Sequence, residues 1–395
     1  MAHAPSVSLV TTATDGLLLT PADAYTLARV TGSGLTELML AAVRMNDRAR
    51  PGKRVTYSRK VFLPLTNLCR DRCGYCTFVK GPAQRGAHTM SPDEVLAVAR
   101  RGADLGCKEA LISLGDHPEW RHPEMSETLA GLGYASTVEY VAAMSKLVLE
   151  ETRLLPHTNC GTLSASELAL IAPWNASMGI MLESTSLRLH EKGGAHYETV
   201  TKRPELRIET LDVAGAAGMA MTTGILIGIG ETPEERVEAL FAIRDAHEQH
   251  GHIQEVIVQN FRAKSATRMK GAAEPTMVDM LRTLALARLI LGPSMNIQAP
   301  PNLNADGFPT YLLAGINDWG GVSPLTKDFI NPEAAWPDVE RLRTLTADAG
   351  YDLHERTALY PEYVRSGWGT APAVASRISE ITDVEGYVRQ ELEQW

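Results

Sequence analysis

Three cysteines placed close together are the residues of this 395-residue chain with the clearest chemistry. Cys69, Cys73 and Cys76 follow directly on the apolar run Val61–Leu65. Thiolates are the soft ligands of zinc, copper(I) and iron–sulfur centres, and Gly74 relieves backbone crowding in so tight a loop. Three thiolates on a four-iron cluster leave one iron open, and an open iron can hold a substrate or cofactor. The loop therefore predicts a metal centre with an open position.

A structural zinc ion and three unrelated free cysteines are the alternative interpretations. A structural zinc site wants a fourth protein ligand, and the two remaining cysteines, Cys107 and Cys160, fall in separate predicted elements. An odd number of cysteines, three of them crowded together, also suits metal ligation in a reducing compartment better than disulfide bonds. We therefore favour an iron–sulfur centre and keep zinc as the alternative.

The elements around the loop alternate between short apolar runs and helix-like segments. Such runs predict parallel strands buried on both faces, and capping boxes that begin at Ser91 and Thr232 predict helix starts between them. About eight such units between roughly residues 55 and 330 fit a closed (β/α)8 barrel, although an open doubly wound sheet has the same local pattern. The predicted strands are Val61–Leu65, Ala110–Leu114, Arg153–His157, Ser177–Leu182, Thr222–Ile229, Ile253–Gln259, Met295–Gln298 and Leu312–Ile316.

Three regions follow from this pattern. We predict an N-terminal helical extension over residues 1–50, a barrel domain over 51–330 and a C-terminal helical extension over 331–395. The composition, with 44% hydrophobic and 22% charged residues, is typical of a globular protein and excludes disordered, collagen-like and membrane-spanning classes.

The net charge and the N-terminal sequence limit which partners and which cellular location we predict. The net charge of −9 would repel a polyphosphate, so we predict a small-molecule substrate and no nucleic acid. The first twenty residues have no Lys or Arg before a short apolar stretch, and no run of eighteen apolar residues follows them. These features predict a cytoplasmic protein with no membrane segment.

Several polar clusters fall where strands of the barrel are predicted to end. The carboxyl end of the strands holds the active site of a barrel enzyme, and Asn, Gln and His there can donate and accept hydrogen bonds at once. We interpret these clusters as binding an oxygen- and nitrogen-rich ring that carries a polyol chain. The candidate substrate-binding residues are His157, Asn159, Gln259, Asn260, Lys264, Asn302, Asn317 and Asp318.

The spacing C-x3-C-x2-C, with aromatic Tyr75 before the last cysteine and a strand before the first, resembles the radical S-adenosylmethionine (SAM) enzymes. The resemblance implies a [4Fe-4S] cluster on Cys69, Cys73 and Cys76, with SAM bound to the fourth iron. It also implies that one electron cleaves SAM into methionine and a 5′-deoxyadenosyl radical. The protein then supplies position and exclusion of water, while the cofactor carries the chemistry.

Further motifs are similar to the SAM contacts of the same superfamily. The stretch Ser113–Asp116 resembles the segment that binds the SAM amino group, and we assign Ser113, Gly115 and the Asp116 carboxylate to that role. Glu183 is in the position of the acid that binds the ribose, and Arg207 in that of the arginine that pairs with the carboxylate. Ile229, in the fifth-strand motif, is expected to touch the adenine. The predicted cofactor-binding residues are thus Tyr75, Ser113, Gly115, Asp116, Glu183, Arg207 and Ile229.

Four segments together resemble the G-type subunit of the 7,8-didemethyl-8-hydroxy-5-deazariboflavin synthase family, over about residues 50 to 340. They are Tyr57–Cys69, Cys69–Phe78, Gln259–Phe261 and Asn317–Pro324. The resemblance implies a SAM-consuming lyase of coenzyme F420 biosynthesis. Such an enzyme abstracts hydrogen from a hydroxybenzyl-ribityl-uracil adduct, closes the third ring of the deazaflavin and releases ammonia.

The resemblance also implies partner proteins, and two alternative interpretations of the function remain. An H-type radical enzyme would supply the adduct, and a reductant protein such as ferredoxin or flavodoxin would supply electrons. One cysteine cluster indicates that only one half of a two-part synthase is present. The rivals are another radical SAM enzyme of menaquinone-pathway or biotin-synthase-like type, and a zinc-stabilised binding barrel.

Overall fold

A computed structural model describes residues 18–393, and a barrel of parallel strands forms its centre. The barrel strands are β1 Arg54–Thr66, β2 Glu109–Leu114, β3 Leu155–Asn159, β4 Ser177–Gly179, β5 Met221–Ile227, β6 Ile253–Asn260, β7 Ile297–Gln298 and β8 Asp318–Val322. Each strand pairs with the next in chain order, and β1 pairs with both β8 and β2. The closed barrel is therefore confirmed, and the open doubly wound sheet is excluded.

Helices cover the outside of this barrel. They are α1 Pro21–Leu27, α2 Ser33–Ala49, α3 Pro92–Asp104, α4 Pro123–Leu132, α5 Thr137–Glu151, α6 Ala165–Ile171, α7 Pro204–Ala216, α8 Pro233–His250, α9 Met277–Leu291, α10 Val339–Asp348, α11 Pro361–Ser366 and α12 Pro372–Ile381. Both predicted capping boxes are confirmed: Ser91 accepts from the backbone N–H of Glu94, and Thr232 from that of Glu235. These reciprocal bonds satisfy N–H groups that a helix start leaves without partners.

Alternation along β1 separates the core from the barrel interior. Val61 and Leu63 are fully buried in an apolar cluster with Val95 of α3, outside the barrel. Burial of each such side chain contributes roughly 1.5–3 kcal/mol. Lys60 and Phe62 fall on the other face and line the interior cavity described below. One strand therefore contributes to the apolar core and to a polar interior.

The N-terminal extension contains two helices where it is described. Helices α1 and α2 lie within the predicted range 1–50, and α2 packs against α9. Residues 1–17 of that extension lie outside the described residues. No helix between residues 18 and 393 is both long enough and apolar enough to cross a membrane.

The predicted eighth strand, Leu312–Ile316, is wrong. A 3-10 helix spans Phe308–Ala314, and the strand follows it at Asp318–Val322. Leu312 and Ala314 are buried against other helices, which accounts for their apolar pattern without a strand. The true strand reads DWGGV, and its glycines have low strand propensity. As a result Asn317 and Asp318 stand at the beginning of β8 and not at its active-site end.

The C-terminal extension is not helical throughout, which corrects the prediction for residues 331–395. A ninth strand, β9 Asp352–Glu355, lies between α10 and α11 and pairs in parallel with Arg54–Tyr57 at the start of β1. It uses a part of β1 that β2 does not reach, because β2 pairs only from Lys60 onward. The chain then enters the lower part of the barrel with Arg356, whose side chain is 2% exposed.

Candidate active site

A cavity of about 390 Å³ lies inside the barrel and reaches the carboxyl ends of the strands. We call its upper part, formed by the cysteine loop and the segments after β2 and β4, the mouth. We call the side chains of Lys60, Glu109, His157, Glu255 and Arg356 the polar floor. The predicted site residues that line this cavity are Cys69, Cys73, Tyr75, Cys76, Ser113, Gly115, Asp116, His157, Asn159, Glu183, Arg207, Gln259, Asn260, Lys264 and Asn302.

The cysteine loop is held against the turn that follows β2. Backbone N–H groups of Asp71 and Asp116 donate to Sγ of Cys69, at 3.3 Å and 3.2 Å. A Cβ added at Gly115 would stand only 1.9 Å from the carbonyl oxygen of Leu68, so this position requires glycine. The close crossing positions the first thiol of the motif with main-chain contacts alone.

The three thiols suit an iron–sulfur cluster by donor type and environment. Burial raises the pKa of Cys69 to about 12, and burial also raises that of Cys73. Metal ligation deprotonates such thiols outright. Within residues 18–393 no three His, Cys, Asp or Glu side chains converge as they would on a single metal ion. Thiolates that bind different irons of one cluster do not need to converge on one point.

The Asp116 carboxylate is engaged within the protein. It accepts from Arg70 Nε at 2.7 Å and from the backbone and hydroxyl of Thr162 at 2.7 Å and 3.1 Å. His117 Nδ1 lies 2.8 Å away, and these contacts hold the pKa of Asp116 below its usual range against the opposing effect of burial. The carboxylate therefore braces the cysteine loop through Arg70. A contact between this turn and the SAM amino group stays a prediction. The main-chain carbonyls of the turn would make that contact.

Glu183 follows β4 and has a left-handed backbone with φ 65°, which is uncommon for a residue other than glycine. Its buried carboxylate accepts from Lys202 Nζ at 2.5 Å and from the Tyr75 hydroxyl, and His196 Nε2 lies 3.0 Å away. Although burial opposes ionisation, Lys202 and His196 hold the pKa of Glu183 well below its usual range. Such strained positions cluster at ligand sites, and a carboxylate held ionised is a ready acceptor for hydroxyl groups.

Arg207 in α7 is positioned by two carbonyl groups. Its Nε donates to Thr201 at 2.8 Å, and its Nη1 donates to Met181 at 2.5 Å. The same Thr201 donates through its backbone and hydroxyl to Asp71, in the cysteine loop. Among residues 18–393, Nη2 of the guanidinium is left without a hydrogen bond, and the bonds of Nε and Nη1 link the position of Arg207 to that of the thiols.

Three predicted contacts are not on the cavity wall. Ile229 is 2% exposed and packs in an apolar cluster with Leu226, which does line the cavity. Asn317 accepts from Arg288 at 2.7 Å and donates to another asparagine beneath the barrel. Asp318 accepts from Arg356 Nε at 2.6 Å. The interpretation of Asn317 and Asp318 as substrate contacts is thus corrected, because the misplaced strand put them at the wrong end of β8.

Two asparagines at the ends of β6 and after β7 have unused acceptors. The Oδ1 atoms of Asn260 and Asn302 are buried and have no hydrogen-bond partner. Their Nδ2 groups are held, by Leu303 at 3.5 Å and by Asp328 at 3.1 Å respectively. A buried acceptor without a partner costs about 1–3 kcal/mol, so a ligand that donates to it gains affinity.

Apart from His157, the polar floor was missed in the sequence. Lys60 Nζ donates to Glu109 at 2.7 Å, and Arg356 Nη2 lies 3.3 Å from Glu255. Thr222 also donates to Glu255 at 2.7 Å. A barrel interior is normally filled by Val, Ile and Leu. The available signal was the charged residue Glu255 inside the predicted strand Ile253–Gln259, whereas Lys60 and Glu109 stand just outside the runs that were recognised.

His157 completes the floor and its protonation follows from its neighbours. Ser177 donates its hydroxyl to the carbonyl of Ala358 at 2.6 Å, so it must accept from His157 Nδ1, 2.7 Å away. Burial lowers the pKa of His157 to about 4. The ring is therefore neutral, with its proton on Nδ1 and an acceptor at Nε2. Asn159, 3.1 Å from Nε2, must then present its amide NH2 group to the ring.

Comparison with known families agrees with this arrangement. The model of the radical SAM superfamily matches residues 63–243. A curated relative from Methanopyrus kandleri, a 7,8-didemethyl-8-hydroxy-5-deazariboflavin synthase, is 50% identical over 335 residues, which are 85% of this chain and all of the relative. The FO synthase of Nocardia farcinica is 49% identical over 384 residues. The chain spans 44% of the length of that relative.

Solved structures of similar fold are more distant in sequence. Methylornithine synthase (PylB) superposes with a TM-score of 0.68 at 19% identity, covering 87% of this chain and 97% of that one. A structure of HydG, a maturase of the [FeFe]-hydrogenase, gives a TM-score of 0.74 at 17% identity, covering 94% and 80%. At these identities the likeness concerns the fold of the barrel alone.

Proposed function

Because the chain belongs to the 7,8-didemethyl-8-hydroxy-5-deazariboflavin synthase family of radical SAM enzymes, we propose that it closes the deazaflavin ring. Membership of this superfamily implies a [4Fe-4S] cluster, SAM, a small-molecule substrate and a source of electrons. The substrate we assign is the hydroxybenzyl-ribityl-uracil adduct. The products are the deazaflavin and ammonia. The chain is then a SAM-consuming lyase of coenzyme F420 biosynthesis.

One observation carries this proposal: thiols, a buried acid, an arginine and a polar floor all line one cavity. In our assignment Cys69, Cys73 and Cys76 hold the cluster, which with SAM supplies a 5′-deoxyadenosyl radical able to remove a hydrogen atom from the substrate. Glu183 accepts the ribose hydroxyls of SAM, and Arg207 binds its carboxylate.

The chain's own residues bind and orient the substrate. The free acceptors of Asn260 and Asn302 suit N–H or O–H donors of the substrate. Lys264, which also lines the cavity, has its pKa lowered by burial. Apolar side chains such as Leu226 and Ile257 exclude water around the reacting groups.

An H-type partner enzyme is proposed to supply the adduct, and a ferredoxin or flavodoxin the electron. The relatives about twice as long as this chain support a two-part synthesis, since the match covers 44–47% of their length. Two radical events, cleavage of the tyrosine side chain and closure of the ring, then fall to two clusters.

The proposal is tested with anaerobically reconstituted protein, SAM, a reductant and the purified adduct. We expect a fluorescent deazaflavin, released ammonia and 5′-deoxyadenosine. The chain alone, given tyrosine and the diaminouracil, is expected to make no deazaflavin. Adding the partner enzyme should restore synthesis, even when a dialysis membrane that passes only small molecules separates the two enzymes. No product from the adduct would favour another radical SAM reaction, and a colourless protein that binds zinc would favour a binding barrel.

A further inference from the structure

Apart from Asp71, Asp116, Glu183 and Arg207 at the mouth, the buried charged groups of the described chain that face the cavity are those of the polar floor. A second buried cluster, Lys108 with Glu355, lies one residue earlier in the chain than Glu109 and Arg356 respectively, and it is outside the cavity lining. Lys108 precedes Glu109, and Glu355 precedes Arg356, so alternate residues face in opposite directions. We call the Lys108–Glu355 pair the outer pair.

The floor has hydrogen-bonding capacity that the protein does not use. Lys60 Nζ carries three donors, and Glu109 at 2.7 Å is its one hydrogen-bond partner among the described residues. His157 Nε2 is an acceptor whose one neighbour among the described side chains is the Asn159 amide, 3.1 Å away. Glu255 accepts from Thr222 at 2.7 Å and more distantly, at 3.3 Å, from Arg356. Donors and acceptors thus alternate within a few side chains.

Glycines on neighbouring strands make room for these side chains. A Cβ at Gly321 of β8 would lie 2.2 Å from Cε of Lys60. A Cβ at Gly179 of β4 would lie 2.1 Å from the side-chain amide group of Asn159 and 3.1 Å from Nε2 of His157. The strands therefore accommodate polar groups that a packed barrel interior would exclude.

We propose that the polar floor is a polyol subsite, which binds the ribityl chain through Lys60, Glu109, Glu255 and His157. This inference rests on the proposed function, since the product named for the relatives is a deazariboflavin. A polyol is neutral and each hydroxyl both donates and accepts, so it pairs with the floor without adding a buried charge.

Depth in the barrel agrees with this assignment. Lys60 precedes the last residue of β1, Thr66, by six residues, or roughly 20 Å of strand. The reacting carbon must lie near the mouth, where the thiols are. The part of the substrate that reaches the floor must therefore be remote from the reacting carbon, and the ribityl chain meets that condition.

The test compares two substrates, the ribityl adduct and the same adduct with an n-pentyl chain in place of ribityl. The quantity measured is the ratio of their kcat/KM values, alongside iron content and SAM affinity. In Lys60→Met we expect the ribityl preference to fall by about 10- to 150-fold, because the substrate loses a hydrogen bond to a charged group. The double variant Lys60→Gln/Glu109→Gln removes both charges of this pair, and we expect it to lower the ribityl preference as well. Lys108→Met in the outer pair is the matched control and should keep the wild-type ratio.

A ribityl preference within twofold of wild type in both floor variants would overturn the polyol subsite, provided that each binds its cluster and SAM. An equal loss for both substrates would overturn it too, because the floor would then act on the whole enzyme. These results differ from failure of the proposed function, in which wild type converts neither adduct.

Discussion

The mouth and the floor of one cavity are built in opposite ways. The mouth is made largely by a single loop, in which three thiols follow one another within a few residues and main-chain N–H groups hold the first of them. The floor takes one side chain each from β1, β2, β3 and β6 and a fifth, Arg356, from beyond β9. A site of the first kind is visible in a motif, whereas a site of the second kind exists only once the barrel has closed.

The largest effect is expected at the mouth, from single substitutions of Cys69, Cys73 or Cys76 by Ala. Each should abolish the cluster and with it all turnover, because a loop with two thiolates lacks one of the three ligands. Iron and sulfide content and the visible absorption spectrum are the measurements. Cys107→Ala and Cys160→Ala serve as controls that keep the cluster. A cluster that survives in Cys73→Ala but disappears in Cys160→Ala would contradict the assignment.

The next largest effect is expected from Glu183→Gln and Arg207→Ala. Each removes one partner of a sheltered charged contact, which typically costs about 2–5 kcal/mol, or roughly 30- to several-thousand-fold in SAM affinity. Iron content should stay at the wild-type level, and this separates SAM binding from cluster binding. Titration with SAM under anaerobic conditions is the measurement. Unchanged affinity in both variants would assign these residues a structural role only.

At the floor, His157 predicts a pH-dependent stability. Its folded pKa of about 4 lies below the ordinary 6.5 because of burial, with Glu109 opposing and Lys60 and Arg356 reinforcing the shift. The unfolded chain therefore binds more protons between these values, and stability falls as the pH drops from about 6.5 to 4. Between pH 7.5 and 5 this group accounts for about 2 kcal/mol.

The measurement is denaturant unfolding of wild type and His157→Gln at both pH values. The variant should lose less stability on acidification than wild type does. His88→Gln is the control, because the His88 side chain is exposed and its one partner within the described part of the chain is exposed Glu94, at 3.1 Å. An identical loss in wild type and His157→Gln would mean that the pKa of His157 is the same in the folded and the unfolded protein, and that burial in the floor does not lower it.

The smallest effect on stability is expected from Gly321→Ala. The added Cβ would meet the flexible end of Lys60, which can move aside at a cost of about 1 kcal/mol. The preference for the ribityl adduct should nevertheless decrease, because Lys60 no longer occupies its position in the floor. Unfolding and the two-substrate ratio together check this. A large loss of stability with an unaltered preference would mean that Gly321 serves strand packing and not the subsite.

Local patterns accounted for much of the fold and nearly all of the mouth. These patterns involve residues that are near one another in sequence, so composition and spacing reveal them. They are the strand runs, the capping boxes at Ser91 and Thr232 and the C-x3-C-x2-C spacing. The one misplaced strand shows the limit of such patterns. Leu312 and Ala314 are apolar because helices cover them, and the glycines of Asp318–Val322 concealed the real strand.

The sequence by itself determined the alternation of strands and helices and the family, and it predicted thiolate ligands for a metal centre, but it left an open sheet as an alternative to the closed barrel. Only the tertiary structure decided that the barrel closes, that Asp116 braces the loop, that Asn317 and Asp318 stand at the beginning of β8, and that Lys60, Glu109 and Glu255 face one cavity. The physical reason is the period of a strand. Whether a charged residue faces the interior depends on register, and one residue separates the floor from the outer pair of Lys108 and Glu355.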